Sequence, residues 1–94
     1  MLCAHIDTVS PCEGYTFDPY RPESSPEGII QGLGSNDDGA SVVSMIAAYR
    51  FFCETLSSAT NLTLVLTCEE ERSGKGGMTG LWGKRLSQID YAIV

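Results

Sequence analysis

Three polar clusters interrupt the apolar runs of this chain in a fixed order: His5-Ile6-Asp7-Thr8-Val9, then Gly34-Ser35-Asn36-Asp37-Asp38-Gly39, then Cys68-Glu69-Glu70-Glu71. Each stands where an apolar run gives way to a loop or a helix, which is where open α/β folds hold their ligands. Between them they supply one imidazole and several carboxylates. That is the donor chemistry of a hydrolytic zinc site with carboxylates to spare for acid/base work, so a metallohydrolase is the leading expectation.

The intervening pattern predicts how the clusters are presented. Residues 2–6 read as a short strand, inside which the chain begins. Residues 10–28 hold all four prolines together with Gly14, Asp18 and the Ser24-Ser25 pair, and read as a long irregular loop. Residues 28–32 read as a brief strand entering the glycine-rich turn. From Gly39 onward Val42, Met45, Ile46, Tyr49, Cys53 and Leu56 recur at helical spacing, with Asp37 or Asp38 at the N-cap position. After a turn at 57–61, residues 62–67 alternate Leu with Thr or Val as a strand does, and deliver the glutamates at its C-terminal end. Residues 73–77 read as a flexible glycine turn. Met78, Leu81, Trp82 and Arg85 follow as a short helix, and residues 89–94 as a last strand in which the chain stops. The order strand, strand, helix, strand, helix, strand predicts an α/β fold, a central sheet with crossover helices.

Composition narrows the function classes. With 43% hydrophobic and 19% charged residues the chain is globular in type, and its 94 residues make one small domain at most. No apolar run approaches the ~18 residues of a membrane span, and the first residues lack the basic start of a signal peptide, so no membrane partner and a cytoplasmic location are expected. The four cysteines, Cys3, Cys12, Cys53 and Cys68, show no paired spacing and read as buried free thiols of a reducing compartment. Net charge is −6, and six Lys and Arg spread along the chain make no basic patch, which argues against a nucleic-acid partner.

Taken singly, each cluster has a plainer reading beside the chemical one. His5 and Asp7, two apart at a strand end, project to one face, and a carboxylate there can hold one ring nitrogen while the other binds metal; a hydrogen-bonded surface pair is the alternative. Asp37 lies where glycines let the backbone approach an ion, yet it also suits a helix-capping carboxylate. Consecutive glutamates repel one another, so they are either a solvated acidic turn or carboxylates neutralised by metal, one ligating while its neighbour acts as general base. The glycines match neither nucleotide motif: in GxGxxG read from Gly32 the last position is Asp37, and Gly74-Lys75 is followed by Gly76.

In this order and on these elements, His-x-Asp-Thr-Val, Gly-x-Gly-Ser-Asn-Asp and Glu-Glu-Glu resemble the M20 family of zinc peptidases and amidohydrolases over essentially all 94 residues. The resemblance implies a fragment of a zinc-peptidase catalytic domain at residues 1–94, starting and ending within strands and without the lid or dimerisation domain. It implies two zinc ions, with cobalt or manganese as alternatives: His5 on one, Asp37 bridging both, Glu71 on the second. Glu70 would be the general base, and Asp7 the residue that orients His5. Residues 34–44 and the block from Cys68 to Lys75 look closest to the acetylornithine deacetylase-like branch, although many members carry Lys-Gly where this chain has Gly39-Ala40.

The implied partner is a small N-acyl amino acid or short peptide, and full-length members of the family are often homodimers. The family also needs a carboxylate soon after the strand that matches residues 91–94 and a distal histidine, so these 94 residues alone are expected to be inactive. Within the family, dipeptidases, carboxypeptidases and succinyl-diaminopimelate desuccinylases are the other options. Outside it, the alternatives are a non-catalytic metal-binding or interaction module and a plain α/β domain with an acidic loop.

Overall fold

The computed structural model describes residues 1–21, 23–24, 26–55 and 60–94. Its centre is β1 (Leu2–His5), which pairs in parallel with β4 (Leu64–Thr67) in the register Leu2 with Leu64 through His5 with Thr67. On the other edge of β1 the chain returns at Ile93, again parallel, with Cys3 N–H donating to Ile93 O at 2.9 Å and Ile93 N–H to Met1 O at 3.0 Å. β1 is therefore bonded on both sides. Its burial follows, since Leu2, Cys3 and Ala4 are each about 5% exposed or less.

Parallel strands need a long crossover, and α1 (Gly39–Thr55) provides it between β1 and β4, as expected. α2 (Met78–Leu81) runs into a π-helical turn, Trp82–Leu86, and then back to β1. Leu86 drops into a small core with Cys3 and Val65, flanked by Met1, Met78, Leu81 and Ile89. The result is the small α/β arrangement expected, a sheet with helical crossovers. Among the described residues no helix is long and apolar enough to cross a membrane.

Several expectations change in detail. Residues 89–94 make a single bridge at Ile93 rather than a strand, because Ile89 N–H still donates to Leu86 O in the preceding turn and backbone pairing is confined to the stretch facing Met1 and Cys3. The loop at 10–28 is less irregular than predicted: β2 (Glu23–Ser24) pairs antiparallel with β3 (Ile30–Gln31).

The helical stripe is only half covered. Val42, Met45 and Tyr49 are partly buried, but Ile46 and Cys53 are exposed, and α1 buries no residue fully. The reason is size: a 17-residue helix is about 25 Å long, whereas four-residue strands span only about 13 Å, so much of α1 overhangs the sheet. Leu56 and most of the predicted turn lie outside the described residues. Of the four cysteines, all free as expected, only Cys3 is buried; Cys12, Cys53 and Cys68 sit on loops and on the overhanging helix.

With so few buried side chains, each one matters. Leu86→Ala should cost about 2–4 kcal/mol of unfolding free energy in a urea titration, whereas Trp82→Ala, on a half-exposed side chain, should stay within about 1 kcal/mol.

Candidate metal centre

The C-terminal ends of β1 and β4 lie side by side, so the residues that leave them share one edge of the sheet. His5 closes β1, and its ring is largely covered, with 11% of the side chain exposed. Nδ1 lies 3.0 Å from the backbone carbonyl of Asp7. A proton on Nδ1 donated to that carbonyl leaves Nε2 facing the acidic residues, the tautomer a metal-ligating imidazole uses. Nε2 is 3.0 Å from Asp37 Oδ1 and 3.8 Å from Glu70 Oε2.

Asp7 works across the strand gap. Its Oδ1 accepts the Glu70 N–H at 3.2 Å and its Oδ2 accepts the Glu71 N–H at 3.3 Å. The carboxylate is 3.6 Å from His5 Nδ1, beyond ordinary hydrogen-bond reach, so Asp7 fixes the ring with its carbonyl and the glutamates with its carboxylate. Expected to orient His5, it also ties the two strand ends together.

Asp37 and Asp38 sit in the turn before α1 and are joined by a cis peptide bond. Asp37 points to His5. Asp38 Oδ2 accepts the His5 backbone N–H at 3.1 Å, its carboxylate also interacts with the Ser41 side chain, and its carbonyl receives the Val42 N–H at 2.9 Å. Of the two candidate caps, Asp38 is therefore the one that starts the helix. Its hold on His5 was not foreseen: an Asp at a helix start is legible in sequence as a cap, but a partner 33 residues away is not. The turn depends on Gly34, whose φ of 72° is left-handed and whose missing side chain makes room for the Thr8 methyl.

One ligand atom each from His5, Asp37 and Glu71 can be chosen so that all lie within 4.8 Å of one another. Imidazole nitrogen plus two carboxylate oxygens is a donor set that zinc accepts, and the three come from segments more than thirty residues apart in sequence, so the residues present fit such an ion. An open cleft of about 490 Å³ borders Asp7 and Glu71, walled by Thr8, Val9, Cys68 and Arg72.

The electrostatics match the geometry. Burial works against a charged His5, but the Asp7 carbonyl, the Asp37 carboxylate and the charges of Glu70 and Asp38 together raise its pKa above the ordinary value. For Asp7, burial pushes upward, but the Glu70 and Glu71 N–H groups, its own backbone and His5 bring its pKa below the ordinary one. Asp38 is lowered by its Ser41 and His5 bonds against a smaller burial effect.

A parallel α/β sheet that gathers one imidazole and several carboxylates at its strand ends is an architecture that metal-dependent hydrolases use. A model of Peptidase family M20/M25/M40 matches residues 1–94, and the chain belongs to that family. It is 37% identical over 76 residues to a succinyl-diaminopimelate desuccinylase of Wolinella succinogenes, an alignment covering 81% of this chain and 20% of that protein. The enzyme of the same name from Novosphingobium aromaticivorans is 32% identical over 80 residues, 85% of this chain and 20% of the relative. That from Stenotrophomonas maltophilia is 30% identical over 99 residues, 99% and 26% respectively. The chain thus spans about a fifth to a quarter of the length of these curated relatives. No solved structure matches it.

In metal-stripped protein the shifts give two opposed limbs of stability against pH. Asp7 and Asp38, lowered on folding, contribute stability above their ordinary pKa that is lost as pH falls through their folded values. His5, raised on folding, contributes stability below its ordinary pKa that is lost as pH rises through its folded value. Urea melts across this range should show both limbs, and Asp7→Asn should flatten the acid one.

Proposed function

We propose that this chain carries part of the catalytic centre of a metal-dependent amide hydrolase acting on N-acyl amino acids, with N-succinyl substrates preferred. The observation that carries the reading is the convergence of His5, Asp37 and Glu71 on one point, with Glu70 Oε2 3.8 Å from His5 Nε2. His5, Asp37 and Glu71 would hold the metal, Asp37 bridging two ions, with zinc the first choice and cobalt or manganese behind it. Bound there, zinc supplies Lewis acidity for the amide carbonyl and a lowered pKa for water.

The chain's own residues do the rest. Glu70 is the general base: it takes a proton from the attacking water and returns it to the leaving amine, giving a carboxylic acid and a free amine. Asp7 fixes the backbone of Glu70 and Glu71, and Asp38 the backbone of His5. Completing the ligand sets takes the further carboxylate and imidazole that the family implies. Residues 1–94 are thus read as part of a catalytic domain whose full-length form is a homodimer acting in the cytoplasm, where free thiols persist.

The names of the relatives favour a succinyl over an acetyl group, against the branch to which residues 34–44 look closest. Amine release from N-succinyl-diaminopimelate and N-acetylornithine, measured side by side on the zinc-loaded full-length enzyme that contains residues 1–94, decides between them. The succinyl substrate should turn over faster, and Glu70→Gln should lower kcat about 10²- to 10⁴-fold while keeping zinc. A faster acetyl substrate would move the reading to the acetylornithine deacetylase branch. Zinc binding without hydrolysis of either would leave a metal-binding module.

Zinc itself gives a second test. At about a hundred times its Kd it should stabilise the protein by roughly 2.7 kcal/mol, seen as a rise in Tm that His5→Ala or Glu71→Ala removes.

A further inference from the structure

The first of the three glutamates has no part in this chemistry, and the glycine turn after it is held rather than flexible. Glu69 stands at φ 60°, in the left-handed region that a non-glycine residue seldom occupies. Three contacts support it there. The Gly74 N–H donates to the Glu69 carbonyl at 2.8 Å, the Gly76 N–H donates to Glu69 Oε2 at 2.9 Å, and the Ser73 N–H closes on the Glu70 carbonyl at 2.9 Å. Glycine at 74 and 76 leaves the room this needs. A Cβ built on Gly74 would overlap the Glu69 carboxylate, and one on Gly76 would lie 3.1 Å from its oxygens. The turn at Glu69 swings the chain out of β4, so that the next two N–H groups meet the Asp7 carboxylate from the front.

We propose that Glu69 is a positioning residue: its carboxylate, seated in the Gly74 to Gly76 turn, holds the left-handed bend that presents Glu70 and Glu71 to His5 and Asp37. It acts as a hydrogen-bond acceptor and neither ligates metal nor transfers a proton. The proposal rests on the hydrolase reading above, in that Glu70 and Glu71 are the groups being positioned.

The test compares Glu69→Gln, which keeps an oxygen acceptor of equal reach and drops the charge, with Glu69→Ala, which drops both. In the full-length enzyme that contains residues 1–94, zinc affinity is measured by competition with a chelating dye, alongside kcat on the succinyl substrate and hydrogen exchange at the Gly76 amide. Glu69→Gln should stay within about threefold of the parent, while Glu69→Ala should weaken zinc binding and lower kcat by about 10- to 100-fold and speed Gly76 exchange. A glutamine variant as defective as the alanine one would overturn the proposal, as would an alanine variant with parental zinc affinity and Gly76 exchange.

Should Glu69→Ala fail to fold, Gly74→Ala serves instead. Gly74 is not left-handed, so alanine fits its backbone and the clash falls on Glu69. It should reproduce the loss of zinc affinity, and parental affinity in that variant overturns the proposal equally. Glu70→Gln is run beside them: full activity there sinks the hydrolase reading, while zinc affinity and Gly76 exchange still judge Glu69.

Discussion

Parallel pairing of β1 with β4 fixes nearly everything of consequence in this molecule. Parallel strands point their C-terminal ends the same way, so the segments after His5 and after Thr67 emerge at one edge and face each other across a single inter-strand spacing. Antiparallel pairing of the same strands would put the histidine and the glutamates at opposite ends. The register then sets the finer placement. His5 lies opposite Thr67, and from there two residues on one side bring Asp7 beside the backbone of Glu70 and Glu71 on the other.

Crowding five acidic side chains, Asp7, Asp37, Asp38, Glu70 and Glu71, around one imidazole has a physical cost, and the fold meets it mainly with backbone donors. Asp7 takes two N–H groups from the glutamate turn, and Asp38 takes one from His5 as well as the Ser41 hydroxyl. Asp38 also lies at the N-terminus of α1, where the helix dipole favours negative charge. Two carboxylates are thereby committed to holding other groups in place. Asp37, Glu70 and Glu71 keep their side chains turned toward His5, the division of labour expected of a site that must offer some oxygens to an ion or to substrate.

Much of this could be read from the sequence because it depends on local rules. Alternating Leu and Thr located β4, helical spacing located α1, and the polar clusters sat at the ends of those elements. The set His5, Asp37, Glu70 and Glu71 came from the resemblance to the M20 family, since each cluster read alone also had a plainer explanation. What escaped was tertiary. The overhang of α1 depends on how short the strands are, so a regular apolar stripe does not tell which of its members find cover. The shrinking of the strand at 89–94 to one bridge reflects the turn that carries into it from Leu86. The tether from Asp38 to His5 joins residues 33 apart in sequence, and the bend at Glu69 is set by a backbone angle that no residue type there announces.

The span between partners also has a bearing on how the molecule is made. His5 and Asp37 are 32 residues apart, and Asp7 reaches Glu71 across 64. Helix α1 can form from contacts within a few residues, but β1 and β4 meet only after a loop of about sixty residues closes, a non-local step that is slow and entropically costly. The donor atoms come within reach of one another only once that pairing has formed. Among the described residues His5, Asp37 and Glu71 meet only across these long separations, so any affinity of the three for an ion depends on completion of the sheet.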